Sequence, residues 1–249
     1  MQWNADLYTE KHAFVFQYGA GLIDVLNPQP GEVILDLGCG SGELTRQIAD
    51  RGATVMGLDA SEPMLLKARQ QFPDLNFQLA DATRFQLPHR FDAIFSNATL
   101  HWITDSEAVV RQMHGHLKPG GRLVAEFGGK GNVQQITDEV IRQLGQRGYN
   151  QTVSWWYFPS VGEYASVLEK HGFRVQLAQH YDRDTLLDDP ENGLIDWIEQ
   201  FGPNFFEGVS ATDRAAVLEA TRAALKPVLF RDGRWYADYK RLRVIAVRQ

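Results

Sequence analysis

The sequence predicts an α/β fold, a doubly wound parallel sheet with a helical cap, and three observations predict it. Short apolar runs alternate with amphipathic segments through the first half of the chain. A glycine-rich turn, "GCGSG" at 38–42, follows the first apolar run. Later runs end on acids or small polar groups: Asp59, Asp81 and Ser96-Asn97-Ala98. Repeated strand–helix–strand units of this kind place helices on both faces of parallel strands.

The apolar runs at 33–37, 54–58, 76–79, 91–95 and 122–127 read as strands. Between them, residues 43–51, 62–72 and 107–117 carry apolar side chains at three- and four-residue spacing, as helices do. Ser61 stands where an N-cap belongs, with Pro63 in the following turn, and Thr104 with Glu107 has the spacing of a capping box. "KPGG" at 118–121 is expected to end the last of these helices and turn the chain into the next strand. In the second half, 133–144 and 162–171 read as helices and 173–177 as a strand. Two more helical stretches follow at 193–202 and 212–225, before an alternating segment at 235–247. "RLRVIAVR" at 241–248 is apolar enough for a buried strand, and its bases alternate, which predicts a solvated face for them. The sheet is thus expected to take its final strand after a helical excursion at 182–233, too long for a plain connection and expected to form the cap.

Composition bounds the function. The 249 residues carry 44% hydrophobic and 22% charged residues, as ordinary globular proteins do. Thirty-one acids against 25 bases give a net charge of −6, with no long basic run, which argues against nucleic acid or an anionic membrane as partner. The single cysteine, Cys39, excludes an intrachain disulfide or a multi-cysteine metal site and reads as a small buried filler. No apolar stretch approaches the roughly 18 residues of a membrane span, and residues 1–7 do not read as a signal peptide. The expectation is a cytoplasmic protein, monomeric or weakly dimeric, acting on a small molecule.

The glycine turn does not read as a phosphate cradle. Its pattern is G-x-G-x-G, because Glu43 stands where a dinucleotide fingerprint would continue, and no Lys-Ser/Thr pair follows. Asp36 at its mouth would repel a pyrophosphate. Glycines still let a ligand approach the backbone closely, and Asp59, 19 residues beyond Gly40, is placed for ribose hydroxyls. A nucleoside carrying an amino-acid tail fits these demands better than a dinucleotide.

The stretches "DLGCGSG" (36–42), "GLDASEPML" (57–65), "ADA" (80–82) and "FDAIFSNATLHW" (91–102) resemble the successive motifs of class I S-adenosylmethionine-dependent methyltransferases. The likeness is to the small-molecule branch that includes trans-aconitate methyltransferases. It covers 33–127 closely; 3–19 and the late return strand match more loosely. The resemblance implies a Rossmann-like sheet of order 3-2-1-4-5-7-6 with strand seven antiparallel, and amino-terminal lid helices within 1–30 beside a cofactor core at 31–128. It also implies roles. Gly38 and Gly40 would lie against the methionine part of the cofactor, with Asp36 near its ammonium. Asp59 would take the ribose hydroxyls, with Ala60 and Met64 beside the adenine. Asp81 would accept from the adenine amino group while the Ala82 backbone serves a ring nitrogen. Backbone groups of Asn97 and Ala98 would hold the methionine amino end. His12 and Tyr8 would belong to the lid, His12 toward the cofactor and Tyr8 toward the substrate.

His101 and Trp102 follow the fourth strand, where a substrate would face the methyl group. His101 is the one candidate for a catalytic acid or base, set against a purely structural role. "WWYFP" at 155–159 is either core packing or a substrate wall through Trp156 and Tyr157. The chemistry implied is an in-line displacement onto a substrate oxygen, needing no base unless the nucleophile arrives protonated. A nicotinamide dehydrogenase is disfavoured by Asp36 and Glu43. A cyclopropane-forming or C- or N-methylating enzyme with the same cofactor, and a non-catalytic cofactor-binding module, stay open as alternatives.

Overall fold

The computed structural model describes residues 21–249. After a helical segment at 21–26 the chain runs β1 (Val33–Leu37), α1 (Glu43–Ala49), β2 (Thr54–Asp59), α2 (Glu62–Gln71), β3 (Asn76–Leu79), β4 (Phe91–Asn97), α3 (Ser106–His116) and β5 (Leu117–Gly128). It continues through α4 (Gln134–Gly145), α5 (Val161–Lys170), β6 (Phe173–Asp182), β7 (Thr185–Leu186), α6 (Gly193–Phe201) and α7 (Ala211–Leu229). Three strands close the described chain: β8 (Phe230–Arg231), β9 (Arg234–Ala237) and β10 (Lys240–Arg248). Short 3-10 turns stand at Leu100–Trp102 and Pro203–Phe206. None of the described helices is long and apolar enough to cross a membrane.

The chain divides into two compact units, the first of residues up to Lys130 with Trp156–Tyr181 and Arg241–Gln249, the second of Gly131–Trp155 and Asp182–Lys240. The first unit holds a seven-stranded sheet of order β3-β2-β1-β4-β5-β10-β6. β1 pairs in parallel with β2 and β4, β4 in parallel with β5, and β10 antiparallel with β5. This is the expected order, with β10 as the seventh strand. Successive residues serve opposite faces. Leu35, Leu37, Ile94, Leu123 and Ala125 pack with Tyr164 and Leu168 on one side, whereas Ile34, Phe95 and Val124 pack with Leu22, Ile23 and Leu26 on the other. Burial on both faces explains why these strands read as continuous apolar runs.

Several local expectations need correction. α3 is capped by Asp105, whose carboxylate accepts from the Ala108 N–H, and not by Thr104. Ser61 is the N-cap residue of α2, but its side chain makes no capping hydrogen bond. The capping box that does form is Ser160 with Glu163, ahead of α5. "KPGG" does not separate helix from strand, because β5 already begins at Leu117 opposite Phe91. The four residues bulge out before Arg122 pairs with Ala93. β6 runs five residues past the expected end, and the 235–247 segment is two strands broken at Asp238-Tyr239.

The second unit combines α4, α6 and α7 with a small sheet of order β7-β9-β8. Its core includes Leu194, Trp197, Ile198, Phe205, Val217, Leu225 and Trp235. The Trp197 indole donates to the Tyr239 hydroxyl at 2.7 Å, tying α6 to the loop before β10. Ser210 caps α7 by accepting from the Asp213 N–H.

Candidate active site

The carboxyl ends of β1, β2 and β4 come together in the first unit, and the glycine turn after β1 sets the geometry. Gly38, Gly40 and Gly42 all have positive φ, at 81°, 55° and 90°. A Cβ on Gly38 would fall 2.1 Å from Thr99 Oγ1, so no other residue fits there. Most of the turn's N–H groups are already spent. Gly38 and Cys39 donate to the Leu58 carbonyl at 2.7 and 3.1 Å, Gly40 to Asp59 Oδ2 at 2.9 Å, and Gly42 to the Cys39 carbonyl at 3.0 Å. A turn that binds phosphate needs several free N–H groups converging on the anion. This one spends three of them on β2 and one within the turn, so it grips the neighbouring strand and leaves an open, side-chain-free surface.

The electrostatics point the same way. Asp36 is buried and accepts a 2.6 Å hydrogen bond from the Thr45 hydroxyl. Burial pushes its carboxyl up to about 7, and the nearby acids Asp59 and Glu43 add to the shift. No cation contacts it among the described residues. Burial also raises Asp59, against the lowering effect of the N–H groups of Gly40 and Ser61 that its two oxygens accept. A pair of neighbouring acids facing a glycine surface fits a ligand with hydroxyls and positive charge, which is what S-adenosylmethionine presents.

The other expected cofactor residues are placed as follows. Met64 is buried with its Cε 3.4 Å from where a Gly40 Cβ would be, so it packs beside the turn, while Ala60 is exposed. Asp81 opens a tight turn, Oδ1 accepting from the Thr83 N–H and hydroxyl and Oδ2 lying 3.1 Å from Arg84. Those bonds hold its carboxyl below the usual range, hence ionised. Ala82 follows it, half-buried. At the end of β4, Asn97 is buried and Ala98 has φ 56°, a left-handed conformation that costs a non-glycine residue about 1 kcal/mol or more. Ala98 is held there by its N–H donating to the Glu126 carbonyl at 2.8 Å. With that N–H spent, Ala98 retains its carbonyl, an acceptor suited to an ammonium. Tyr8 and His12 lie outside the described residues.

His101 sits in the 3-10 turn after β4 and is buried. Its Nδ1 accepts from the Gly128 N–H at 3.3 Å. Burial, and secondly the Arg241 charge, hold its pKa well below the ordinary imidazole value. A neutral imidazole that accepts at Nδ1 carries its proton on Nε2 and is a donor there. Around it, ring centroids lie 5.3 Å from Trp102 and 5.7 Å from Phe158, and Trp156 lies 5.5 Å from both Trp102 and Phe158. Extended backbone alternates its side chains. Trp156 and Phe158 therefore join His101 and Trp102, whereas Tyr157 turns toward Tyr164 and the sheet core.

Sequence reasoning passed over three neighbours of the candidate site, Thr45, Glu126 and Arg241, which have no motif of their own, and did not single out Phe158 within "WWYFP". The expected solvated face of β10 is overturned at Arg241, which is 3% exposed. Glu126, fully buried on β5, lies 2.7 Å from Arg243 and 3.8 Å from Arg241, and also accepts from the Tyr181 hydroxyl at 2.7 Å. The bases alternate as on a surface strand, but their partner comes from 115 residues earlier in the chain.

A family model described as "Methyltransferase domain" matches residues 35–125. The chain is 30% identical over 257 residues to an uncharacterised methyltransferase of Schizosaccharomyces pombe, covering 98% of this chain and 97% of that protein. It is 28% identical over 265 residues to a trans-aconitate 2-methyltransferase of Agrobacterium fabrum, covering 100% of each. Among solved structures, a putative methyltransferase of Bacillus halodurans is similar with a TM-score of 0.62 at 16% identity, covering 92% of this chain and 97% of that one. Haemonchus contortus phosphoethanolamine N-methyltransferase 2, solved with S-adenosylhomocysteine, gives 0.60 at 19% identity, covering 98% of this chain and 56% of that one. Sheet order, glycine turn, strand-end acids and a relative matched over nearly the whole chain agree: this chain belongs to the class I S-adenosylmethionine-dependent methyltransferases and is an enzyme using that cofactor.

Proposed function

We propose that this enzyme methylates an oxygen atom of a small molecule, a carboxylate, without a general base. The observation that carries the reading is the setting of His101: it is buried and its Nδ1 accepts from the Gly128 N–H at 3.3 Å, an arrangement in which a neutral ring offers Nε2–H as a donor and no free basic nitrogen. A carboxylate is ionised at neutral pH and needs no proton removed; it does need donors and positive potential. His101 Nε2–H supplies the first. Arg241, close enough to depress the His101 pKa, contributes to the second. The aromatic wall of Trp102, Trp156 and Phe158 excludes water from the same corner. Relatives named trans-aconitate 2-methyltransferase point to the same substrate class.

When bound, S-adenosylmethionine supplies a methyl group already activated on a sulfonium. The chain's own part is to hold and orient. In this reading Asp36 and the carbonyls of Asn97 and Ala98 face the cofactor's amino end, and Gly38 and Gly40 let its chain approach the backbone. Asp59 takes the ribose, while Met64, Ala60, Asp81 and Ala82 border the adenine. Substrate choice is assigned to the helical excursion on its length, since long insertions usually serve a site; the cofactor residues named here all lie in the unit containing the sheet. Exchanging Gly131–Trp155 and Asp182–Lys240 for those of a relative with another substrate is expected to change the substrate. S-adenosylhomocysteine affinity should stay within about threefold, as expected when selectivity and cofactor binding rest on separate contacts.

His101 provides the direct test. His101→Gln keeps a donor and is expected to hold turnover within about tenfold, whereas His101→Ala loses a hydrogen bond to charge and about 10- to 100-fold. Turnover between pH 6 and 8 should show no inflection that disappears with either variant, because burial holds the imidazole well below its ordinary value. A loss of about 10³-fold in His101→Gln with unchanged cofactor affinity would instead assign proton removal from a hydroxyl or amine.

A further inference from the structure

We propose that Thr45 is a positioning residue of the cofactor site: from α1, its hydroxyl holds the Asp36 carboxylate toward the cofactor's ammonium. The inference rests on the reading of Asp36 given above. Thr45 is fully buried, and Asp36 is 2% exposed, so neither group is served by solvent. The hydroxyl donates to Oδ2 at 2.6 Å, and among the described residues it is the one side chain hydrogen-bonded to Asp36. The other charged groups that act on this carboxylate are adverse. Asp59 from β2 and Glu43 from α1 are both acids, and the Cys39 thiol packed by the turn is kept protonated by the same burial. Glu43 has its own donor, the Ser41 hydroxyl at 2.8 Å, so the two hydroxyls divide the two acids between them. A buried threonine at this point of an amphipathic helix would otherwise be replaceable by valine, which has the same shape. The hydroxyl is what distinguishes it.

The consequence is a coupling between ligand and proton. Asp36, raised to about 7, holds its proton in part of the unliganded protein at neutral pH. A bound ammonium favours the ionised carboxylate, so binding releases that proton, and affinity should rise with pH up to the unliganded pKa before levelling. Without the Thr45 donor the ionised form loses its one hydrogen bond, the pKa climbs, and the rise in affinity moves to higher pH.

Calorimetry on the full chain between pH 5.5 and 8 tests this with two ligands. S-adenosylhomocysteine carries the amino-acid tail, and 5′-methylthioadenosine lacks it. Thr45→Val is expected to weaken S-adenosylhomocysteine about tenfold at pH 7, the value of a hydrogen bond to a charged group. Its pH profile should move upward, and 5′-methylthioadenosine should be unchanged. Thr45→Ser, which restores the donor, should recover both affinity and profile; should the valine protein not fold, Thr45→Ala and Thr45→Ser give the same comparison. An unshifted profile with wild-type affinity overturns the proposal, and so does equal weakening of both ligands, which would mean a damaged turn. Asp36→Asn separates the two levels. If it binds S-adenosylhomocysteine normally, the role of Asp36 itself fails; if it binds weakly and without pH dependence while Thr45→Val is normal, only the role of Thr45 fails.

Discussion

Asp59→Ala is expected to weaken S-adenosylhomocysteine binding by about a hundredfold or more. A carboxylate has about four lone-pair positions. The N–H groups of Gly40 and Ser61 take two, at 2.9 and 2.8 Å, and the Ala60 N–H also acts on the carboxylate, so the ribose hydroxyls share what remains. Each hydrogen bond to charge contributes about 1.5–3 kcal/mol, and about 1.4 kcal/mol is a factor of ten. The same change orphans the Gly40 N–H and frees the glycine turn, so the loss has an ordering component too. Asp59→Asn should fall between wild type and alanine, because one amide oxygen still accepts. Calorimetry, with circular dichroism to confirm the fold, checks both. An alanine variant that binds within about threefold of wild type would remove Asp59 from the site.

The largest effect on stability is expected at Glu126. Its carboxylate is fully buried, receives Arg243 at 2.7 Å and the Tyr181 hydroxyl at 2.7 Å, and has Arg241 3.8 Å away. Glu126→Leu matches the volume but strands these guanidinium groups beside an apolar side chain. Removing one partner of a buried ion pair costs about 3–5 kcal/mol, which in a chain of this size lowers Tm by about 6–20 °C. Arg243→Met added to Glu126→Leu should recover part of that loss, since an uncompensated charge leaves together with its partner. A single-variant Tm within about 2 °C of wild type would show that the cluster contributes nothing.

The parts of this fold legible in the sequence share one property: they depend on neighbours in the chain. β1, β2 and β4 carry apolar residues on both faces because both faces are buried, and Asp36, Asp59 and Asn97 stand at or one residue before their carboxyl ends for the same topological reason. What was not legible is decided across the chain. The cap of α3 went to Asp105 because its carboxylate reaches the Ala108 N–H, although Thr104 with Glu107 had the spacing. Arg241 looks solvated on a strand with alternating bases until Glu126 of β5 is placed beside it. Tyr157 and Trp156 are adjacent in an aromatic run, and only the extended backbone sends one to the core and the other to the His101 wall. The Thr45 hydroxyl is invisible for the same reason, since its partner is on another element.

The position of β10 in the sheet bears on how the chain is made. It lies between β5 and β6, yet it is the latest strand in the sequence. A polypeptide emerging amino-terminus first, at about 5–20 residues per second, presents every residue assigned to the cofactor before β6 has a neighbour. Until β10 arrives, β5 stands as an open edge with Glu126 on it, and the partners Arg241 and Arg243 do not yet exist in the nascent chain. An unpaired, apolar strand edge invites association with other chains. A premature stop at the start of β10, at 240 or 241, would therefore spare the cofactor turn and leave this edge permanently exposed, so such products should be recovered as aggregates rather than as weakened enzymes.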